Sequence, residues 1–77
     1  MTIYVVMVDD RHTDPEAHLF SHPRAAINFA KTQSEIYGEP TATMSEEDLI
    51  AVGWLFCAQW ERHGLSIWIL PKEVDCE

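Results

Sequence analysis

The sequence predicts an α+β fold of the order ββα(α)ββ, an antiparallel or mixed four-stranded sheet with one long helix packed on one face and a short second helix. Three observations predict it. Thr2 to Val8, TIYVVMV, is an unbroken β-branched and aromatic run, the pattern of a strand covered on both faces. Ala26, Phe29, Ala30, Ile36 and Tyr37 recur at helical spacing. Gly53 to Val74, GWLFCAQWERHGLSIWILPKEV, holds all three tryptophans and reads as two strands around a turn at Arg62, His63 and Gly64. The 77 residues make one small acidic domain, 1–77, with a core limited to about 60% of the unfolded chain's surface.

The first strand ends at Asp9 and Asp10, where DDRHTDP begins a polar connection, and Glu16 to Ser21 forms a short second strand returning along the first. Ser21 stands at the N-cap position of the long helix and Pro23 in its first turn. Gly38 ends that helix and Pro40 prevents its continuation. Arg24, Asn28, Lys31 and Glu35 form its solvated side.

Ser45 followed by Glu46, Glu47 and Asp48 is an N-cap with acids in the first turn, which predicts a short helix over Glu46 to Val52. Gly53 breaks it. A single helix from Ser45 through Glu61 is the competing reading, but Trp54, Phe56, Ala58 and Trp60 follow a period of two, so this stretch is a strand. Ser66 to Leu70 is the last strand, stopped by Pro71, with Lys72 to Glu77 as a charged tail.

One helix covers one sheet face, yet the first strand has Ile3, Val5 and Met7 on one side and Tyr4, Val6 and Val8 on the other, and the last is equally two-sided. The second face is therefore covered by the short helix and loops, or by a partner, of which a second copy is the commonest.

Thirteen Asp and Glu against five Lys and Arg give a formal net charge of −8. Such a surface repels phosphates and anionic lipid and attracts basic protein surfaces, which excludes direct nucleic-acid and membrane binding. A hydrophobic content of 47% is that of a folded domain. Cys57 and Cys76 form no CxxC pair, and a reducing cytosol is the simpler setting. The apolar opening run lacks a basic flank and is too short to span a bilayer, so the expected location is the cytoplasm, that of the host cell if the chain is phage-encoded.

No stretch spells out a reaction. There is no GxSxG, no glycine-rich phosphate loop and no cysteine placed beside a base at a helix start. Asp9, Asp10, His12, Asp14 and Glu16 are the densest group of ligand types, but their spacing matches no calcium loop, and a solvated acidic connection explains them. His12, His18, His22, His63, Cys57 and Cys76 lack the close pairing of a structural zinc site, apart from His18 and His22. Trp54, Trp60 and Trp68 are accounted for by core packing and cross-strand pairing before an aromatic platform is needed. The expectation is no enzyme, no cofactor and no metal.

TIYVVMVDDRHTDPEAHLFS, residues 2–21, and GWLFCAQWERHGLSIWILPKEVD, residues 53–75, resemble a group of small acidic proteins of bacteria and their phages. In size, charge and lack of catalytic motifs the chain also resembles phage-encoded anti-CRISPR inhibitors, several of which are DNA mimics. What this resemblance implies is a non-enzymatic inhibitor that blocks the DNA or protospacer-adjacent-motif site of a basic nucleic-acid-binding effector, such as a CRISPR effector subunit. Asp9, Asp10, Asp14, Glu16, Glu46, Glu47 and Asp48 are the candidate partner-binding residues, because converging carboxylates imitate a row of phosphates. The alternatives are a small dimerising regulatory module working through the apolar sheet face and a metal-binding protein.

Overall fold

A computed structural model describes residues 1–74. It is an α+β fold, with strands β1 (Thr2–Asp10), β2 (Glu16–Phe20), β3 (Ala42–Thr43), β4 (Phe56–Trp60) and β5 (Leu65–Glu73), and helices α1 (Pro23–Tyr37) and α2 (Glu46–Val52). The strands form one sheet in the order β2-β1-β5-β4-β3, with every pair antiparallel. The first and last long strands thus lie side by side at its centre, with Val6 opposite Ile69 and Val8 opposite Ile67.

Several expectations need correction. The sheet has five strands rather than four; of the two expected arrangements, antiparallel and mixed, it takes the antiparallel one. β3 joins it through two residues that pair with Gln59 and Ala58, flanked by Thr41 N–H donating to the Gln59 carbonyl (2.7 Å) and Met44 N–H to that of Cys57 (3.2 Å). β1 runs on through Asp9 and Asp10, because β5 continues opposite them as Ser66 and Leu65. β4 begins at Phe56 rather than Trp54.

Pro71 does not stop β5. The Ile69 carbonyl points toward β4, where it accepts from Leu55 N–H at 2.9 Å. Two residues later Pro71 turns the same way, past the last β4 pair at Phe56 and Ile69, so its missing N–H has no partner to lose. Lys72 and Glu73 are therefore strand residues pairing with Ile3 and Thr2, not tail; residues 75–77 lie outside the described part.

α1 packs on one sheet face. Ala26 and Ala30, one turn apart, are fully buried against it, and their small side chains let the helix backbone approach the strands. Beneath lie Val6, Ala58, Trp60, Leu65, Ile67 and Ile69, with Tyr4, Phe20, Ile27, Phe29 and Tyr37 closing the margin. Ile36, expected in the apolar stripe, is 69% exposed. His22 rather than Ser21 occupies the N-cap position, with no side-chain cap, and Pro23 supplies the preset φ of a first helical residue. At the other end the buried Trp60 indole donates from Nε1 to the Gly38 carbonyl at 3.1 Å, fixing the helix terminus to β4.

α2 is capped as expected. Ser45 Oγ accepts from Asp48 N–H (3.2 Å), and Gly53, at φ 78°, ψ 22°, closes the last turn. The β4–β5 turn places Gly64 at φ +62°, where a side chain would also collide with Arg11. Arg11 N–H donates to the Gly64 carbonyl at 3.1 Å, which holds the β4–β5 turn against the β1–β2 connection. Among the described residues no helix is long and apolar enough to cross a membrane.

Candidate functional site

Strand alternation assigns each side chain to a face. With Val6, Val8, Ile67 and Ile69 under α1, the opposite face carries Ile3, Val5, Met7 and Asp9 from β1, Ala17 and Leu19 from β2, Ser66, Trp68, Leu70 and Lys72 from β5, and Cys57 and Gln59 from β4. The pairing aligns them in rows. Ala17, Met7, Trp68 and Cys57 form one apolar row, and Leu19, Val5 and Leu70 form the next. Asp9, Ser66 and Gln59 bound the band at the end bearing the two turns; Ile3 and Lys72 bound it at the other.

The short helix does not cover this face. α2 buries none of its residues, and Ile50 is 74% exposed. Only the connection after it contributes, through Trp54, whose ring stacks on Trp68 at a centroid distance of 6.3 Å. The tryptophans therefore divide. Trp60 belongs to the core, whereas Trp54 and Trp68 belong to the open face.

The acidic residues form two groups. Asp9, Asp10, Asp14 and Glu16 lie at the end of the sheet bearing the turns, where Arg11 and Arg62 also sit. Glu46, Glu47 and Asp48 start α2, in the connection from β3 to β4. From β1 to β3 is three strand spacings, roughly 14 Å across the sheet, so the two groups stand apart rather than merging. Six of the seven carboxylates are exposed. Asp10 is half-buried, and its Oδ1 accepts from His12 N–H at 2.9 Å, which makes it a turn-forming residue. Glu16 faces His18 at 3.4 Å. Among the described residues none of the seven has a Lys or Arg partner within salt-bridge distance.

His18 lies with its ring 4.5 Å from that of Phe29, a packing role at the sheet margin, and His63 sits against Tyr37. Among the described residues no group of three or more His, Cys, Asp or Glu is placed to hold a metal ion. Two open concavities flank the sheet. One, of about 280 Å³, runs between α1 and β4 past Lys31, Glu35 and Phe56; the other, of about 550 Å³, lies near Arg11, Gln59 and Ser66.

Burial raises the Cys57 thiol pKa above its ordinary value. The folded state thus favours the neutral thiol. Its stabilising contribution is complete below the unfolded thiol's value, about 8.5, and is lost as pH rises through the higher folded value. In a Cys76→Ser background, Cys57 should react with a thiol reagent more slowly than a free cysteine. Stability should fall on raising the pH through this range, and Cys57→Ala should remove that component of the fall, as followed by urea titration at several pH values.

No family model, curated protein or solved structure matches this chain.

Proposed function

We propose that the chain is a non-enzymatic inhibitor that occupies a basic surface of a nucleic-acid-binding protein, its carboxylates standing where phosphates would. What supports this reading is the state of the acids: six exposed side chains, none neutralised by Lys or Arg among the described residues. In α2 three of them are consecutive, in a helix with no basic residue. The resemblance of the chain to anti-CRISPR inhibitors narrows the partner to a CRISPR effector subunit and the blocked site to its DNA or protospacer-adjacent-motif groove.

α2 is the stronger half of this surface. At the turn-bearing end Arg11 and Arg62 dilute the field, and Asp10 is committed to its turn. Glu46→Gln, Glu47→Gln and Asp48→Asn together remove three charges with little change of shape, at about 0.3–1 kcal/mol each of helix-dipole stabilisation. Capture of a basic partner from host lysate should be strong at low salt, weak at high salt and reversed by duplex DNA. The triple variant should lose at least about tenfold in affinity, with a shallower salt dependence. Capture that ignores salt, DNA and the triple variant alike rejects the proposal.

A further inference from the structure

The sheet face opposite α1 is a surface for a second copy of the chain, and we propose a two-fold dimer whose axis lies in the interface plane across the strands, between the two apolar rows. Charge placement selects both the occupant and the axis. Among the described strand residues, the charges on the face belong to Asp9 at one end of the band and Lys72 at the other, six strand positions apart by register. A rotation about an axis across the strands reverses strand direction, so Asp9 of one copy comes beside Lys72 of the second, and Lys72 beside Asp9. An axis along the strands would instead set the acidic ends together and the basic ends together.

Shape agrees with charge. With the axis across the strands, the row Ala17, Met7, Trp68, Cys57 lies over the row Leu19, Val5, Leu70 of the second copy. Leu19, which is 65% exposed and the most prominent side chain of the face, then meets Ala17, the smallest of the apolar row. Under the other axis β2 lies over β4, and no apolar side chain of β4 is level with Leu19. A patch four strands wide and about seven residues long covers on the order of 500 Å² per copy, or roughly 1,000 Å² in total, the lower limit for a specific interface. The dimer is therefore a weak one.

The net charge of −8 opposes self-association. Apart from Asp9 and Asp10 of β1, the residues of the two acidic groups lie in the β1–β2 connection, in β2 and at the start of α2 rather than in the two apolar rows, so their repulsion acts through solvent and is screened by salt. The dimer should consequently tighten as salt rises, the opposite of binding to a basic partner. This separates the two proposals, and the experiment needs only the protein alone.

Sedimentation equilibrium over a wide concentration range, at about 0.05 M and about 0.5 M salt, should give a monomer–dimer equilibrium that is tighter at the higher salt. Leu19→Lys, a substitution at an exposed position, should weaken the dimer at least about tenfold while leaving circular dichroism unchanged. Asp9→Lys and Lys72→Asp should each weaken it, and the double exchange should restore it. Cys57, on the same face, should be protected from thiol reagent at high protein concentration in the Cys76→Ser background. A monomer at every concentration and salt overturns the proposal, as does a dimer indifferent to Leu19→Lys. If the double exchange fails to restore association, the axis is wrong.

Discussion

Trp60→Ala should lose about 3–5 kcal/mol of stability, the largest effect of any single truncation in the chain. Trp60 is 2% exposed and lies between Ala58 and Leu65 in the core beneath α1. Its ring faces Tyr37 at 6.0 Å, and its indole N–H holds the Gly38 carbonyl. Truncation therefore opens a cavity and releases the end of α1 in one step. A domain of this length has roughly 4–12 kcal/mol in all, so the loss is at least about a quarter of the total and unfolds the variant outright only at the lower end of that range. Trp60→Phe separates the two contributions. It keeps a ring but loses the donor, and because Gly38 is exposed its carbonyl turns to water, so the hydrogen-bond part costs about 1 kcal/mol. Urea titration should place the variants in the order wild type, Trp60→Phe, Trp60→Ala, with an unchanged denaturant slope for Phe. A loss below about 1 kcal/mol for Trp60→Ala would mean that this ring is not part of the core.

The elements with a strong period were legible in the sequence, and those defined by their neighbours were not. β1, α1 and the β4–β5 turn each carry their own signal: a β-branched run, alanines four apart, a glycine required at φ +62°. β3 carries none, because two residues have no period and its hydrogen bonds go to Cys57 and Gln59 far along the chain. Pro71 was read as a stop on local chemistry alone. Whether a strand proline is tolerated depends on whether the neighbouring strand still runs beside it, and here β4 has ended.

The candidate surfaces divide in the same way. That the acids are exposed and that the second sheet face is apolar follow from composition and from strands apolar at both parities. That Asp10 spends its carboxylate on His12 N–H is a contact between residues two apart, whereas the approach of Arg62 to the turn-bearing acids depends on pairing between residues more than fifty positions apart. The same long-range pairing of β1 with β5 sets Asp9 and Lys72 at opposite ends of one face.

Ile69→Ala should cost about 2–5 kcal/mol and Ile69→Val about 0.5–1.5 kcal/mol, whereas truncating the larger residue next to it, Trp68, should cost less than Ile69→Ala. Ile69 is fully buried and paired on both sides, with Val6 and with Phe56. Its loss leaves a void in the middle of the helix-covered core that flanking strands held by backbone ladders cannot collapse to fill. Trp68 points the other way. It is half-buried against Trp54, so Trp68→Ala forfeits an aromatic pair worth about 0.5–1.5 kcal/mol beyond its area, and water enters where the ring stood. Measured at a protein concentration low enough to exclude self-association, the ranking reports which face is the core independently of side-chain size. At high concentration the comparison changes, because Trp68→Ala should then also lose the stabilisation that mass action lends to a dimer, whereas the concentration dependence of Ile69→Ala should follow that of the wild type. If Trp68→Ala proves the costlier substitution even at low concentration, α1 covers the wrong side of the sheet and the open face is the true core.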